Sequence, residues 1–326
     1  MIHPLDHLFA RHAARRRMFT EGWGDTSALD GFHPEAIAPE SIGAPTIRFG
    51  APRPHPTDRA QLVRDGWFES PAPNLPSELR AAHVRLLRRP GNDAVCVVFA
   101  GSRDEGYALR ASLFGPLTHA AVDLLLLENP YYGRRRALGA RDANVATVAD
   151  QARMNIAALF EAIALLRWAE RAGYTRLGVA GYSMGGYLAA LAGALERRPI
   201  AVAALAAGAD PAPVYTRGLL SKSVDFTALA RDDGDERAAR ERLRALFTRA
   251  DLTALPRPAA PHATVVVGMA GDGYVPPEET ARLARYWLDA PPITLPSGHV
   301  AGVFTERAGL RKAIARAFEA LTSRRA

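Results

Sequence analysis

Leu177-Gly178-Val179-Ala180-Gly181-Tyr182-Ser183-Met184-Gly185-Gly186 is the stretch that decides how the chain is read. A short apolar run ends in Gly181-Tyr182-Ser183-Met184-Gly185, and an Ala-rich apolar stretch follows from Tyr187 to Leu195. The pattern predicts a buried strand, a sharp turn and a helix, with Ser183 at the tip of the turn in a strained backbone conformation. Glycines flank the serine at 181 and 185, where side chains would collide as strand folds back into helix. The strain lifts the hydroxyl out of the sheet and sets the helix N-terminus behind it. The backbone N–H of Met184 then points at any negative charge forming beside the serine. Two other glycine-rich readings fail here. A phosphate-binding loop needs Gly-Lys-Ser/Thr, and no lysine is near; a dinucleotide turn needs Gly-x-Gly-x-x-Gly, which is absent.

The same alternation repeats outward from this turn. Ala94–Ala100 is a continuous apolar run ending in Gly101-Ser102-Arg103, and a helix is predicted over Tyr107–Leu117. Ala121–Leu127 is a second run, ending in Glu128-Asn129-Pro130-Tyr131-Tyr132-Gly133. From about Thr147 to Ala172, Ile156, Leu159, Phe160, Ile163 and Leu166 recur at helical spacing, and Gly173 supplies a stop. After the serine come strands at Ala201–Ala207 and Thr264–Met269, a helix at Pro277–Leu288 and a short strand at Ile293–Leu295. A final helix is predicted over Thr305–Leu321. Strands alternating with helices predict an α/β fold, a mostly parallel sheet with helices on both faces. All 326 residues read as one domain. Its first 90 residues supply a helix at 2–19 and an antiparallel edge with strand candidates Thr46–Phe49, Leu62–Phe68 and Ala82–Leu87. Pro52, Pro54 and Pro56 mark an extended connection. Residues 209–262 are polar and Pro-bounded. They read as a small cap insertion holding one helix, about Asp235–Arg249, and otherwise loop.

Composition narrows the class. The chain is 48% hydrophobic, enough for a large core. Net charge is +7, and Lys222 and Lys312 are the only lysines, so arginine carries nearly all the basic charge. That charge is spread along the chain with no aromatic-interleaved basic motif, which argues against nucleic acid as a partner. Cys96 is the only cysteine and lies within an apolar run, which excludes an internal disulfide and favours an inert thiol. No apolar stretch approaches the length of a membrane span, and the N-terminus lacks a signal-peptide core, so a soluble, cytoplasmic protein is expected. In the first helix Leu5, Leu8 and Phe9 fall on one side and Arg11, Arg15, Arg16 and Arg17 follow. That leaves two readings open: a surface helix packed on the domain, or a peripheral membrane contact.

A serine hydroxyl is a poor nucleophile at neutral pH. It needs a base in reach, and the base needs an acid to hold its tautomer. In open parallel sheets ligands bind at the C-terminal ends of the strands, so the base should lie just past such an end. Of nine histidines, His299 alone follows a late strand, in Pro296-Ser297-Gly298-His299. Asp272, in Gly271-Asp272-Gly273, is the favoured acid, with Asp210 as the runner-up. Met184 should supply one oxyanion N–H, and the second should come from Ser102, with Arg103 as the alternative. The order Ser183, Asp272, His299 is the one expected of an α/β-hydrolase. The scheme calls for no cofactor, and no His/Cys/Asp/Glu cluster has metal-ligand spacing.

Several segments together carry a family resemblance. They are Gly22-Trp23-Gly24, Leu127-Glu128-Asn129-Pro130-Tyr131-Tyr132-Gly133, Gly181-Tyr182-Ser183-Met184-Gly185-Gly186, Gly218-Leu219-Leu220-Ser221-Lys222-Ser223, Asp272-Gly273-Tyr274-Val275-Pro276 and Gly298-His299. They resemble the α/β-hydrolase domain-containing protein 18 family over most of the chain. The resemblance implies a serine-hydrolase fold, a triad at Ser183, Asp272 and His299, and a lipid-like acyl substrate. The leading expectation is cleavage of a carboxylic ester, with a small molecule or a lipid as acyl donor. An amidase or peptidase would use the same triad, and a non-catalytic binding protein would keep the fold without needing all three groups.

Overall fold

The computed structural model describes residues 1–26, 37–136, 139, 143 and 145–322. Its strands are β1 (Arg48–Phe49), β2 (Arg53–His55), β3 (Asp58–Glu69), β4 (Ala81–Arg88), β5 (Ala94–Phe99), β6 (Val122–Leu127), β7 (Arg176–Tyr182), β8 (Ala201–Leu205), β9 (Thr264–Met269) and β10 (Ile293–Leu295). They form one sheet in the order β1-β3-β4-β6-β5-β7-β8-β9-β10, with β2 paired to β3. Every neighbour from β6 to β10 is parallel. The first four strands pair antiparallel, and β4 lies antiparallel against β6. Burial explains the division. Strands β5, β6, β8 and β9 are buried along their whole length, as continuous apolar runs covered on both faces require. In β4, buried positions alternate with half-exposed ones, because that edge keeps one face towards water.

The helices are α1 (Pro4–Ala13), α2 (Ala108–Phe114), α3 (Val148–Arg171), α4 (Met184–Leu195), α5 (Ala212–Thr216), α6 (Phe226–Asp233), α7 (Glu236–Thr248), α8 (Pro277–Leu288), α9 (His299–Thr305) and α10 (Arg307–Thr322). One core packs α3, α4 and α8 on one face of the sheet, through residues such as Leu159, Ile163, Leu188 and Trp287. A second packs α2 and α10 on the other face, through Leu113, Phe114, Ile314 and Phe318. Cys96 is buried in this second core, and burial pushes its thiol up, away from reactivity. Among the described residues no helix is long and apolar enough to cross a membrane.

Two sequence segments find structural roles here. The carbonyls of Gly22 and Trp23 accept the first amides of α3, from Val148 (3.2 Å) and Ala149 (3.0 Å), while Thr147 caps the Asp150 amide. The loop after β6 is pinned by Arg135, which donates twice to Glu161, at 2.7 Å each, and also to the carbonyls of Leu79 and Glu128. Both members of this ion pair are buried, so it is a fixed tie between the loop and α3.

The structure departs from the sequence reading in four places. Residues 209–262 are not one helix and loop: α5, a 3-10 turn at Leu219–Ser223, α6 and α7 fill most of the segment. The helix read at about Asp235–Arg249 is α7, and the pieces before it are too short for periodicity to show. They are stabilised by packing Phe226, Leu229, Leu243 and Phe247 against Phe19, Trp23 and Tyr215. Residues 53–55 form an edge strand rather than a plain connection, where Pro54, lacking an N–H, is tolerated. The final helix is preceded by a separate one, α9, so His299 opens a helix instead of sitting in a free turn. The N-terminal helix stops at Ala13, and Met18 bridges to Val224. Leu5, Leu8 and Phe9 face outward, while Asp6, Ala10 and Ala13 are the buried positions.

Candidate active site

Strand order reverses around β5: the chain runs from β5 to β6 on one side and returns to β7 on the other. The ends of β5 and β7 therefore diverge into a crevice. Gly101–Arg103 lies past one end and Ser183 past the other. Ser183 has φ 60° and ψ −125°, a strained conformation held from both sides. Its N–H donates to the Leu205 carbonyl (2.9 Å), and its carbonyl accepts from the Tyr187 N–H (3.0 Å). The glycines are sterically required. A Cβ at 181 would lie 2.2 Å from the Gly185 carbonyl oxygen, and one at 185 would lie 2.7 Å from that of Phe99.

The three distant side chains converge. His299 Nε2 is 2.7 Å from Ser183 Oγ, and His299 Nδ1 is 2.8 Å from Asp272 Oδ2. An ionised carboxylate only accepts, so Nδ1 carries the proton and the Nε2 lone pair faces the serine hydroxyl. Asp272 Oδ1 accepts from the amides of Tyr274 and Val275, at 2.8 Å each, which fixes the carboxylate in its turn. His299 lies between two phenol rings, with centroids 5.3 Å away at Tyr182 and 5.1 Å at Tyr274. The Tyr182 hydroxyl also donates to the His299 carbonyl (2.6 Å). Burial disfavours the charged imidazole, but the charge and hydrogen bond of Asp272, with the charge of Asp6, outweigh it. The net effect raises the His299 pKa above its ordinary value.

Asp210, the runner-up acid, is elsewhere engaged. It accepts from the Ala212 amide (2.8 Å) and the Thr248 hydroxyl (2.9 Å), and burial raises its pKa. Of the two candidates for the second oxyanion donor, the Arg103 N–H donates to the Tyr132 hydroxyl (3.1 Å). Ser102 lines the same cavity as Ser183 and Met184. The loop between them and α2 is braced by buried Arg110, which donates to Asp104 (2.7 Å) and to the carbonyls of Val98, Gly106 and Leu127.

Beside Ser183 a cavity of about 120 Å³ runs between the sheet end and residues 209–250. Met184, Tyr187, Ile156 and Leu159 form one wall; Val214, Tyr215, Leu220, Leu246 and Phe247 form the other. Leu219, next to Leu220, donates its amide to the Gly273 carbonyl (2.8 Å), which ties this wall to the Asp272 turn. Among the described residues no group of three or more His, Cys, Asp or Glu could hold a metal ion.

Three groups that shape the site escaped sequence reading. Asp6 is fully buried and accepts amides from both the Asp272 and His299 segments. Tyr182 and Tyr274 flank the imidazole. The tyrosines are neighbours of Ser183 and Asp272 in sequence, so proximity could have flagged them. Nothing local marks Asp6.

The model of a family described as "Alpha/beta hydrolase domain containing 18" matches residues 16–249 and 233–320, nearly the whole chain. The chain belongs to this family. Acetyl Xylan Esterase 1 from Thermoanaerobacterium sp. JW/SL YS485 superposes with a TM-score of 0.61 at 14% identity, covering 99% of this chain and 100% of that one. The acetyl xylan esterase from Paenibacillus sp. R4 gives 0.58 at 13% identity, covering 93% and 98%. At such identities the likeness speaks for the fold, and the fold is that of the α/β-hydrolases. Within the family match lie the elbow at Ser183, the turn at Asp272 and the helix start at His299; α1 precedes it.

Proposed function

We propose that this chain is a serine hydrolase that cleaves a carboxylic ester through an acyl-enzyme on Ser183. The observation that carries the reading is the unbroken line Asp272–His299–Ser183, both links at hydrogen-bond distance, opening on an apolar cavity. His299 Nε2 takes the Ser183 proton as Oγ attacks the ester carbonyl. The Met184 and Ser102 amides stabilise the oxyanion, each such donor being worth about 3–4 kcal/mol in the transition state. The imidazolium gives its proton to the departing alcohol, and a water activated by the same nitrogen then frees the acid. Asp272 holds the tautomer throughout and offsets the imidazolium charge.

The cavity takes the acyl group. Its walls are aliphatic and aromatic, and its volume is somewhat below the ~150 Å³ of an apolar cavity that holds one benzene ring. A short acyl chain fits whole. A long lipid acyl chain would project beyond it unless residues 209–262, acting as a cap, moved aside. An organophosphonate probe and p-nitrophenyl esters from acetyl to palmitoyl test the reading, with a p-nitroanilide as the amide comparison. Labelling and ester turnover lost in Ser183→Ala are expected. Labelling that persists in that variant would sink the proposal, and faster anilide than ester cleavage would replace ester by amide.

A further inference from the structure

We propose that Asp6 is a positioning residue of this site, a carboxylate that locks the Asp272 turn and the start of α9 into one frame and so holds His299 between its two partners. This deepens the esterase reading and uses that reading only for its kinetic arm. Asp6 Oδ2 accepts from the amides of Gly273 (3.0 Å) and His299 (2.9 Å), and Oδ1 accepts from Val300 (2.8 Å). Gly273 directly follows the candidate acid, and His299 is the candidate base. One buried side chain thus bonds to the backbone beside both groups, from more than 260 residues away in sequence.

The arrangement has a physical logic. A helix start leaves its first amides without intrahelical partners, and Ser, Thr, Asp or Asn at the preceding position usually supplies one. The residue before α9 is Gly298, which has no side chain to do so. Asp6 supplies the missing acceptor from another element. Glycine at 298 is also what admits it: a Cβ there would lie 2.4 Å from His3 Cβ and 2.9 Å from Asp6 Oδ1. A local cap could satisfy α9 equally well, but it could not reach Gly273. The His3 N–H donates to the Gly271 carbonyl (3.0 Å), so α1 is stitched to the acid's turn by backbone as well. A carboxylate taken out of water needs this many donors to be tolerated. Around the imidazole stand Asp272, Ser183, Tyr182 and Tyr274, with Arg103 beyond Tyr274 and Glu306 beyond Tyr182. Asp6 and Asp272 are the two negative charges that favour the imidazolium.

The test uses the full chain with Asp6→Asn and Asp6→Glu. The readouts are kcat and KM for p-nitrophenyl butyrate across pH, and the NMR titration of the His299 ring without substrate. Asp6→Asn keeps the size but loses the charge and one acceptor. A kcat lower by roughly ten- to hundredfold at nearly constant KM is expected, the scale of a misplaced reacting group. The His299 midpoint should fall, because one of the two negative charges that favour the imidazolium is gone. Asp6→Glu should restore the midpoint but not kcat, because its longer stem shifts the frame. Parent-like kcat and an unchanged midpoint in Asp6→Asn would overturn the proposal. If Asp6→Asn does not fold, Asp6→Glu decides, and parent-like kcat there would overturn it. If even the parent turns over no ester, the esterase reading fails and the NMR midpoint alone decides on Asp6.

Discussion

Replacing Leu220 by alanine should move the acyl-length preference, and the size of the shift can be worked from the cavity. Leu220 is nearly buried and faces the space beside Ser183. Each methylene transferred from water into such a space is worth about 0.8 kcal/mol, or roughly fourfold in kcat/KM. In the parent, kcat/KM should climb by about that factor per carbon while the ~120 Å³ cavity fills, then fall once the chain must leave it. Truncating a leucine side chain opens room for about two further methylenes. The optimum should lengthen accordingly, and the first ester the parent excludes should gain roughly fifteenfold. A p-nitrophenyl ester series from acetyl to dodecanoyl, read as kcat/KM for parent and variant, measures this. Loss of a largely buried leucine also costs about 2–3 kcal/mol of stability, so thermal unfolding must accompany the kinetics. Leu117→Ala, in the core on the opposite face of the sheet, is the control: similar destabilisation with no change of preference. Identical chain-length profiles in parent and Leu220→Ala, or a parent profile that rises steadily to dodecanoyl, would refute the acyl-pocket argument.

Gly181→Ala drives a Cβ into the Gly185 carbonyl, backbone that cannot yield, so ester turnover and probe labelling should drop at least roughly a hundredfold; retained labelling would show that the elbow tolerates a side chain. With its pKa raised, His299 becomes a neutral base only above the ordinary imidazole value of ~6.5, so kcat/KM should rise with pH through a midpoint higher than that. The same shift has a stability sign: the folded state holds the His299 proton more tightly than the unfolded one. That contribution is full below the unfolded midpoint and is lost as pH rises through the folded one, so Tm scans across pH should fall over this window and flatten in His299→Gln. Glu161→Ala strands the buried Arg135 charge and should cost about 3–5 kcal/mol in urea unfolding. Removing the exposed Arg237–Glu241 pair should cost at most about 1 kcal/mol.

What the sequence disclosed and what it withheld divide along physical lines. An apolar run buried on both faces is unambiguous, and Thr264–Met269 is a strand with the limits read from sequence. Ile293–Leu295 and the helix Pro277–Leu288 also keep the limits read from it. The elbow was legible because its glycines answer to close backbone approach within a few residues. Within 209–262 the helix read at about Asp235–Arg249 is α7, while α5, the 3-10 turn and α6 were not legible. They are held by tertiary packing of a few apolar residues each, which local periodicity does not record. The start of α9 was hidden for a related reason, since its cap comes from Asp6 and leaves no cap residue at 298 to read. Leu5, Leu8 and Phe9 mark an amphipathic helix, yet the position that matters for the site is the acid among them.

The sheet itself shows why the site needs support from outside it. Ser183 stands at the end of β7, a central strand paired on both sides. The base comes from the opposite situation, since β10 has three residues, lies at the edge and, among the described residues, pairs only with β9. Edge strands this short hold the next segment of chain only weakly, whereas a proton transfer at 2.7 Å tolerates little drift. Two ties outside the ladder make up the difference: the Tyr182 hydroxyl on the His299 carbonyl, and the Asp6 carboxylate on three amides. Local opening should therefore be slowest where those ties bind, against the usual trend for a chain edge. Hydrogen exchange reads this directly. The Gly273 and Val300 amides should be protected as well as those of β7 in the parent, and should lose that protection first in Asp6→Asn while the β7 amides keep theirs. Equal loss across both would mean that α1 supports the whole sheet and not this corner of it.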